Sequence, residues 1–431
     1  MLFIPFIYFT ILFVFLARRH RGMDVSAYMV LLYAFSAFFA ILIDARHIYD
    51  TNGVCAEMPI TLGATLSYCA LLTVSIVPFS RMRSTTLQQV NITKPGLFDA
   101  FSWLLIITFF LTFLMLGRDI YSVISSADLS EVRRAVYAGE EGESLSMSDL
   151  EWWLILPNTL FSQFSPIAIL FFYINVSSNR KSNLFNYVLL LSSITPILSA
   201  ILIAGRSQII YWLLSYMFCF LLFKNQMDKQ QKKVVLRPFI VLAGAMVVFF
   251  ASVTLARFTT FSLDSSTNTF NSVIAYILFF EQLYFGCSRI NYNNFFNNYV
   301  CSQHTFNRIM PVSHYFVLDP GWTLGDYRAL IQSQTGMNIG IFYTFLGDLM
   351  VDLDKSGMLL FVLLFAIVST YMSRQESDNT IPVSRMLLIQ LLALIPLQGI
   401  FYYSFHRVDV GYYVIGTIIL SMCFKYKFKR S

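Results

Sequence analysis

Charge is what this chain has least of. Asp, Glu, Lys and Arg make up only 13% of its 431 residues, about half the share usual in a soluble domain. Several signatures are missing as well. There is no P-loop, no G-x-G-x-x-G and no G-x-S-x-G. An ATP-driven pump, or a nucleotide-sugar enzyme with a soluble catalytic domain, is therefore not expected. The six cysteines form no C-x-x-C pair and no Cys/His metal spacing. Cys69, Cys219 and Cys423 fall in apolar runs and are expected to be small core residues. Cys287 and Cys301 fall in one polar segment, where a disulfide is one option. The formal net charge of +6 concerns loops and lipid headgroups rather than nucleic acid.

Hydrophobic residues fill the space that charge leaves, at 57% of the chain with mean hydropathy +0.63. Apolar runs of roughly 18–20 residues alternate with short charged loops, the pattern of an all-α polytopic integral membrane protein. Spans are expected near 2–17, 25–43, 59–79, 97–117, 153–176, 184–204, 207–223, 238–256, 357–373, 386–403 and 409–424. That is about 11 spans (range 10–13) in a single integral domain over 1–431. Residues 1–16 are apolar, but no basic stretch precedes them and no small-residue cleavage site follows, so no cleaved signal peptide is expected.

The connecting loops fall into two sets. Arg18 to Arg21, Arg81 to Arg83, Arg180-Lys181, Lys224 to Arg237, Arg374 to Arg385 and Lys425 to Arg430 are basic and mostly short. By the positive-inside rule they face the cytoplasm, which leaves the N-terminus outside and the C-terminus inside. The other set is longer, more acidic and more aromatic, with two large members at about 118–151 and 257–338. In the first, Asp128 to Glu131 has capping-box spacing before a short helix that stops at Gly139. In the second, Asn271 to Gly286 is expected to form an interfacial or re-entrant helix.

This threading separates arginine from lysine. Arg46, Arg118, Arg133, Arg134, Arg206, Arg257, Arg289, Arg308, Arg328 and Arg407 fall outside, with Lys355 the lone lysine there. Orientation alone does not require such a split, because both residues count alike for it. Arginine differs in being a planar fork that grips phosphate and carboxylate in two places. An arginine-dominated outer face therefore points to an anionic ligand.

Four constellations carry chemistry. Ala204-Gly205-Arg206-Ser207 places an arginine in a very short turn, either as an anion clamp or as a residue snorkelling to headgroups. Phe345-Leu-Gly347-Asp348 is followed by Asp352 and Asp354. Asp348 and Asp352 are four apart and share a helical face, as catalytic or positioning carboxylates or as a dipole-favoured helix start. The 257–328 segment combines Arg257, Arg289, Arg308 and Arg328 with His304, His314, Tyr292 and Trp322. It suits a sugar-binding surface, with His304 or His314 as a possible base; interfacial packing is the alternative for each aromatic. Tyr402 to Arg407 with Asp409 forms an outer turn where Arg407 joins the anion site or pairs with Asp409.

Gly205-Arg206-Ser207 between paired spans, Phe345-x-Gly347-Asp348 running on to Gly357, and Asp128 to Tyr137 with Arg133 and Arg134 resemble the oligosaccharide repeat-unit polymerases. These are the bacterial O-antigen and capsule polymerases. The resemblance implies a membrane fold of the type-C glycosyltransferase kind in the bacterial inner membrane, with its active site facing the periplasm. It implies transfer of a growing glycan from undecaprenyl diphosphate to a new lipid-linked repeat unit. Arg206, Asp348 and His304 would then be catalytic. Arg133, Arg257, Arg289, Arg308, Arg328, Arg407, Tyr292 and Trp322 would bind substrate. No metal or cofactor is expected, since arginines can neutralise the leaving diphosphate. A chain-length regulator is a possible protein partner. An O-antigen ligase, with the same donor, and a lipid-linked oligosaccharide flippase are the competing expectations.

Overall fold

The structure, a computed structural model, describes residues 3–46, 62–82, 89–125, 161–202, 207–261, 344–374, 380–400 and 408–425. These residues are mostly helical. The helices are α1 (Phe3–Arg19), α2 (Val25–Arg46), α3 (Leu62–Ile76), α4 (Pro95–Ser125), α5 (Ser165–Ser177) and α6 (Asn183–Ser192). They continue with α7 (Thr195–Leu202), α8 (Ser207–Phe223), α9 (Lys229–Phe261), α10 (Thr344–Met372), α11 (Val383–Gln398) and α12 (Val408–Lys425). One feature departs from an all-α reading: β1 (Gln89–Asn91) pairs in parallel with β2 (Thr380–Pro382).

The chain divides into two compact units. The first comprises residues 1–86, 275–378 and 388–417; the second comprises 87–274, 379–387 and 418–431.

In the first unit α1 lies along α2, and their junction is fixed by backbone chemistry. Arg21 takes a positive φ of 55°, and Gly22 follows at 142°. The Gly22 amide donates to Ala17 O at 2.8 Å and the Arg21 amide to Arg18 O at 3.2 Å, which satisfies the orphan carbonyls at the end of α1. Asp24 then starts α2, its Oδ1 accepting from the Ala27 amide at 2.9 Å and from Ser26 Oγ at 3.0 Å. Its other oxygen meets Nδ1 of the buried His20. Phe9, Tyr33 and Tyr68 form an aromatic centre below this turn. α10 packs on α3 and on the following 3₁₀ turn, where Phe79 meets Phe365.

In the second unit α4 packs against α5, α6 and α7. Phe98 stacks on Phe171 with ring centres 4.0 Å apart. Trp212 and Tyr216 of α8 stack on Phe239 of α9, and the Tyr216 hydroxyl donates to Val235 O at 2.9 Å. The expected span 184–204 is not one helix. It breaks at Ser193 and Ile194, because Pro196 has no amide to donate and its ring clashes with the carbonyl four residues back. Ser192, Ser193 and Thr195 hydroxyls donate to Leu189 O, Leu190 O and Ser192 O at 2.6–2.7 Å. Neighbouring helices complete the break. Ser165 Oγ donates to Ser193 O, and Trp212 Nε1 donates to Ser193 Oγ at 2.6 Å.

α9 is also longer than expected. The basic stretch assigned to a loop is helical from Lys229, because Asp228 and Gln231 cap it reciprocally. The Gln231 amide donates to Asp228 Oδ1 at 2.7 Å, and the Asp228 amide donates to Gln231 Oε1 at 2.9 Å. α10 likewise begins at Thr344 rather than near 357, so Asp348, Asp352 and Asp354 all lie on it.

Several helices turn apolar side chains outward. On α4, Trp103, Ile107, Phe110 and Leu114 form an exposed stripe at helical spacing; on α10, Leu360, Leu363, Leu364, Ile367 and Tyr371 do the same. Among the described residues, Pro95–Arg118 and Asn183–Leu202 are long and apolar enough to cross a membrane.

Candidate functional site

The second unit has two chemically different ends. At one end, Asp99 near the start of α4 receives Arg180 Nη2 at 2.8 Å and Lys181 Nζ at 3.0 Å. Arg180 also donates to Pro95 O at 3.3 Å, and its guanidinium carbon lies 5.2 Å from the Phe98 ring centre. Lys94 Nζ and Thr93 Oγ1 donate to Cys423 O and Phe424 O at the end of α12, at 2.5 and 3.0 Å. Gln231 Nε2 donates to Val176 O at 2.8 Å, which ties the start of α9 to the end of α5. Lys94, Lys181, Lys229, Lys232, Lys233 and Lys425 therefore share this end, as do β1 and β2. A cleft of about 540 Å³ opens there, with Asn91, Arg180 and Thr380 among its lining residues.

The other end holds arginine. α4 rises from Asp99 to the exposed Arg118, about 28 Å at 1.5 Å per residue. Phe109, Leu116 and Ile120 of α4 pack on Leu198 of α7, with Ile201 and Leu202 beside them. The chain leaves α7 at Leu202, next to the Arg118 turn of α4, and enters α8 at Ser207. Arg206 belongs to the four residues between, which lie outside the described residues.

Arg257 is on α9, and its level follows from helix register. Trp212 opposes Phe239 and Tyr216 opposes Val235, so Ser207 is level with about Gly244. Arg257 stands about 20 Å farther along the axis.

In the first unit, Asp348 lies on the second turn of α10. The Phe345 amide, three residues earlier, donates to Gly399 O at 2.8 Å. This contact docks the start of α10 on the end of α11, just before the segment that leads to Arg407. Phe345, Leu346 and Leu349 are fully buried around it. Arg133, Arg289, Tyr292, His304, Arg308, Trp322, Arg328 and Arg407 lie outside the described residues, as do Cys287, Cys301 and residues 271–286. Cys69 and Cys219 are buried and unbonded to sulfur. Among the described residues, no three His, Cys, Asp or Glu side chains gather as a metal site would require.

Sequence reasoning missed two things here. Gly399 carried no motif, and its importance depends on a neighbour more than fifty positions away. Asp99 belonged to none of the sequence constellations, although Arg180-Lys181 on the same side of the threading was a usable signal.

No protein-family model, curated protein or solved structure matches the chain.

Proposed function

We propose that this protein is a multi-pass membrane glycosyltransferase of the O-antigen polymerase kind. It transfers a growing surface glycan from undecaprenyl diphosphate to a new lipid-linked repeat unit at the periplasmic face of the bacterial inner membrane. The membrane part is supported by helix dimensions. Asp24 to Asp44 on α2 and Asp99 to Arg118 on α4 each separate charged positions by about 28–30 Å of uncharged helix, the thickness of a hydrocarbon core. The outward apolar stripes of α4 and α10 suit lipid contact.

The observation that carries the reading is the sorting of cations along the second unit. Its described lysines sit at one end, together with Arg180; Arg118, the end of α7 and the start of α8 lie at the other, and Arg206 falls between α7 and α8 in the sequence. In the proposed reaction the acceptor hydroxyl attacks the donor's anomeric carbon, and the bond to the diphosphate oxygen breaks. Undecaprenyl diphosphate leaves with its charge, and arginine forks at the lipid boundary neutralise it without a nucleotide or metal. Asp348 or His304 takes the hydroxyl proton. Arg257, farther along α9, is better placed for the glycan than for the diphosphate. A chain-length regulator is the protein partner that fits this reaction.

A transporter is the second reading, and the interrupted helix α6–α7 favours it, since broken helices often carry transported ligands. Against it, the groups at the break are uncharged and bonded to one another. The test is the lipopolysaccharide pattern of a deletion strain. Core carrying a single repeat supports a polymerase. Core with no repeat at all points to the ligase or the flippase and would overturn this proposal.

A further inference from the structure

The start of α10 holds a conformation that its own residues disfavour. Thr344 has a φ of 60°, the left-handed region, which a β-branched side chain adopts only under constraint. It is 1% exposed, and its hydroxyl is buried with no hydrogen-bond partner among the described residues. The constraint lies next to it. Phe345 donates its amide to Gly399 O, and a Cβ on residue 399 would stand 2.6 Å from Phe345 Cδ1 and 2.1 Å from Ile395 O. Only glycine permits this approach. The end of α11 is itself anchored, because the Tyr33 hydroxyl donates to Pro396 O at 2.8 Å. Two elements thus meet at a contact that is tight and locally unfavourable. Asp348 follows Phe345 by three positions, on the same helical face.

We propose that Thr344, Phe345 and Gly399 form a positioning clasp that fixes the first turns of α10, and so Asp348, at a cost in stability. This rests on the proposed role of Asp348. A site that retains left-handed backbone and an orphan hydroxyl should become more stable and less active when they are relieved. Glycine at position 344 takes a φ of 60° freely, has no hydroxyl to bury and loosens the turn.

The experiment compares wild type, Thr344→Gly and Gly399→Ala in lipid nanodiscs. Three quantities are measured: melting temperature, amide exchange over residues 345–349, and glycan polymerisation with synthetic undecaprenyl-diphosphate-linked repeat units. Thr344→Gly is expected to melt several degrees higher. Its exchange should be about tenfold faster and its kcat about tenfold lower, at unchanged KM. Gly399→Ala is expected to lose more of both, with a lower melting temperature; if it does not fold, Thr344→Gly decides alone. A Thr344→Gly protein that gains stability with unchanged exchange and kcat overturns the clasp. Wild type that forms no polymer overturns the reaction instead, while the exchange and melting arms still decide whether the clasp exists.

Discussion

The two ends of the second unit use positive charge in opposite ways. At the lysine end, three of the charges are held in bonds, while Lys229 and Lys233 are exposed on α9. Arg180 and Lys181 converge on Asp99, Lys94 reaches the last carbonyls of α12, and Phe98 lies under the Arg180 guanidinium. At the arginine end, Arg118 is exposed and meets no carboxylate among the described residues. A cation used for folding is normally given a protein partner. A cation kept for a ligand is left without one, because a bound carboxylate would compete with the ligand and lower its affinity. The difference predicts that substitutions at the lysine end damage stability, and that substitutions at the arginine end damage activity.

Arg206→Lys is the sharpest way to break that contrast. Lysine keeps the charge but not the fork. If Arg206 grips a leaving diphosphate, polymer formation should fall by roughly a hundredfold or more with the protein still folded, as for loss of a transition-state donor. Full-length glycan ladders from this variant in a complementation assay would remove Arg206 from the site. Arg118→Ala comes next. A roughly tenfold loss of polymerisation is expected, with a melting temperature within about a degree of wild type, since an exposed unpaired cation contributes little to stability. A large drop in melting temperature would make Arg118 structural and erase the distinction between the ends.

Much of the helical plan was legible in the sequence. The bounds of α1, α2, α8 and α12 follow the apolar runs closely, because those helices begin and end at a charge, a cap or a short turn. The misses have local or tertiary causes. α9 extends through its basic segment because Asp228 and Gln231 cap it, a pairing that the charge pattern obscured. The break at Ser193 was signalled by Pro196, but a hydropathy window averages over one residue. The candidate site was less legible. Asp348 was singled out from its neighbours in sequence, whereas Gly399 matters only through its contact with Phe345. Asp99 gains its meaning from Arg180, which no local pattern connects to it.

Asp99→Ala tests the lysine end directly. It removes the one carboxylate that two cations share and leaves Arg180 half-buried without its counter-ion. The pair is partly solvated, so the loss should be about 1–2 kcal/mol rather than the larger penalty of a deeply buried pair. Polymerisation per folded molecule should remain near wild type. An Asp99→Ala/Arg180→Ala double variant should recover part of the loss, since only the more exposed Lys181 is then left without its carboxylate.

Asp228→Ala has the smallest expected effect and isolates the cap from the charge. It removes the acceptor of the Gln231 amide, while the backbone amide of residue 228 can still donate to Gln231 Oε1 and Gln231 Nε2 to Val176 O. A cost of about 1 kcal/mol is expected, typical of a lost N-cap. Asp228→Asn and Asp228→Ser keep an acceptor and should restore most of it, whereas a simple charge effect would predict that Asn behaves like Ala. Denaturant melts of the three variants distinguish these outcomes. Rescue by Asn would mean that the lysine end is held by directed hydrogen bonds as well as ion pairs, and that its basic helix extends because it is capped and in spite of its charge.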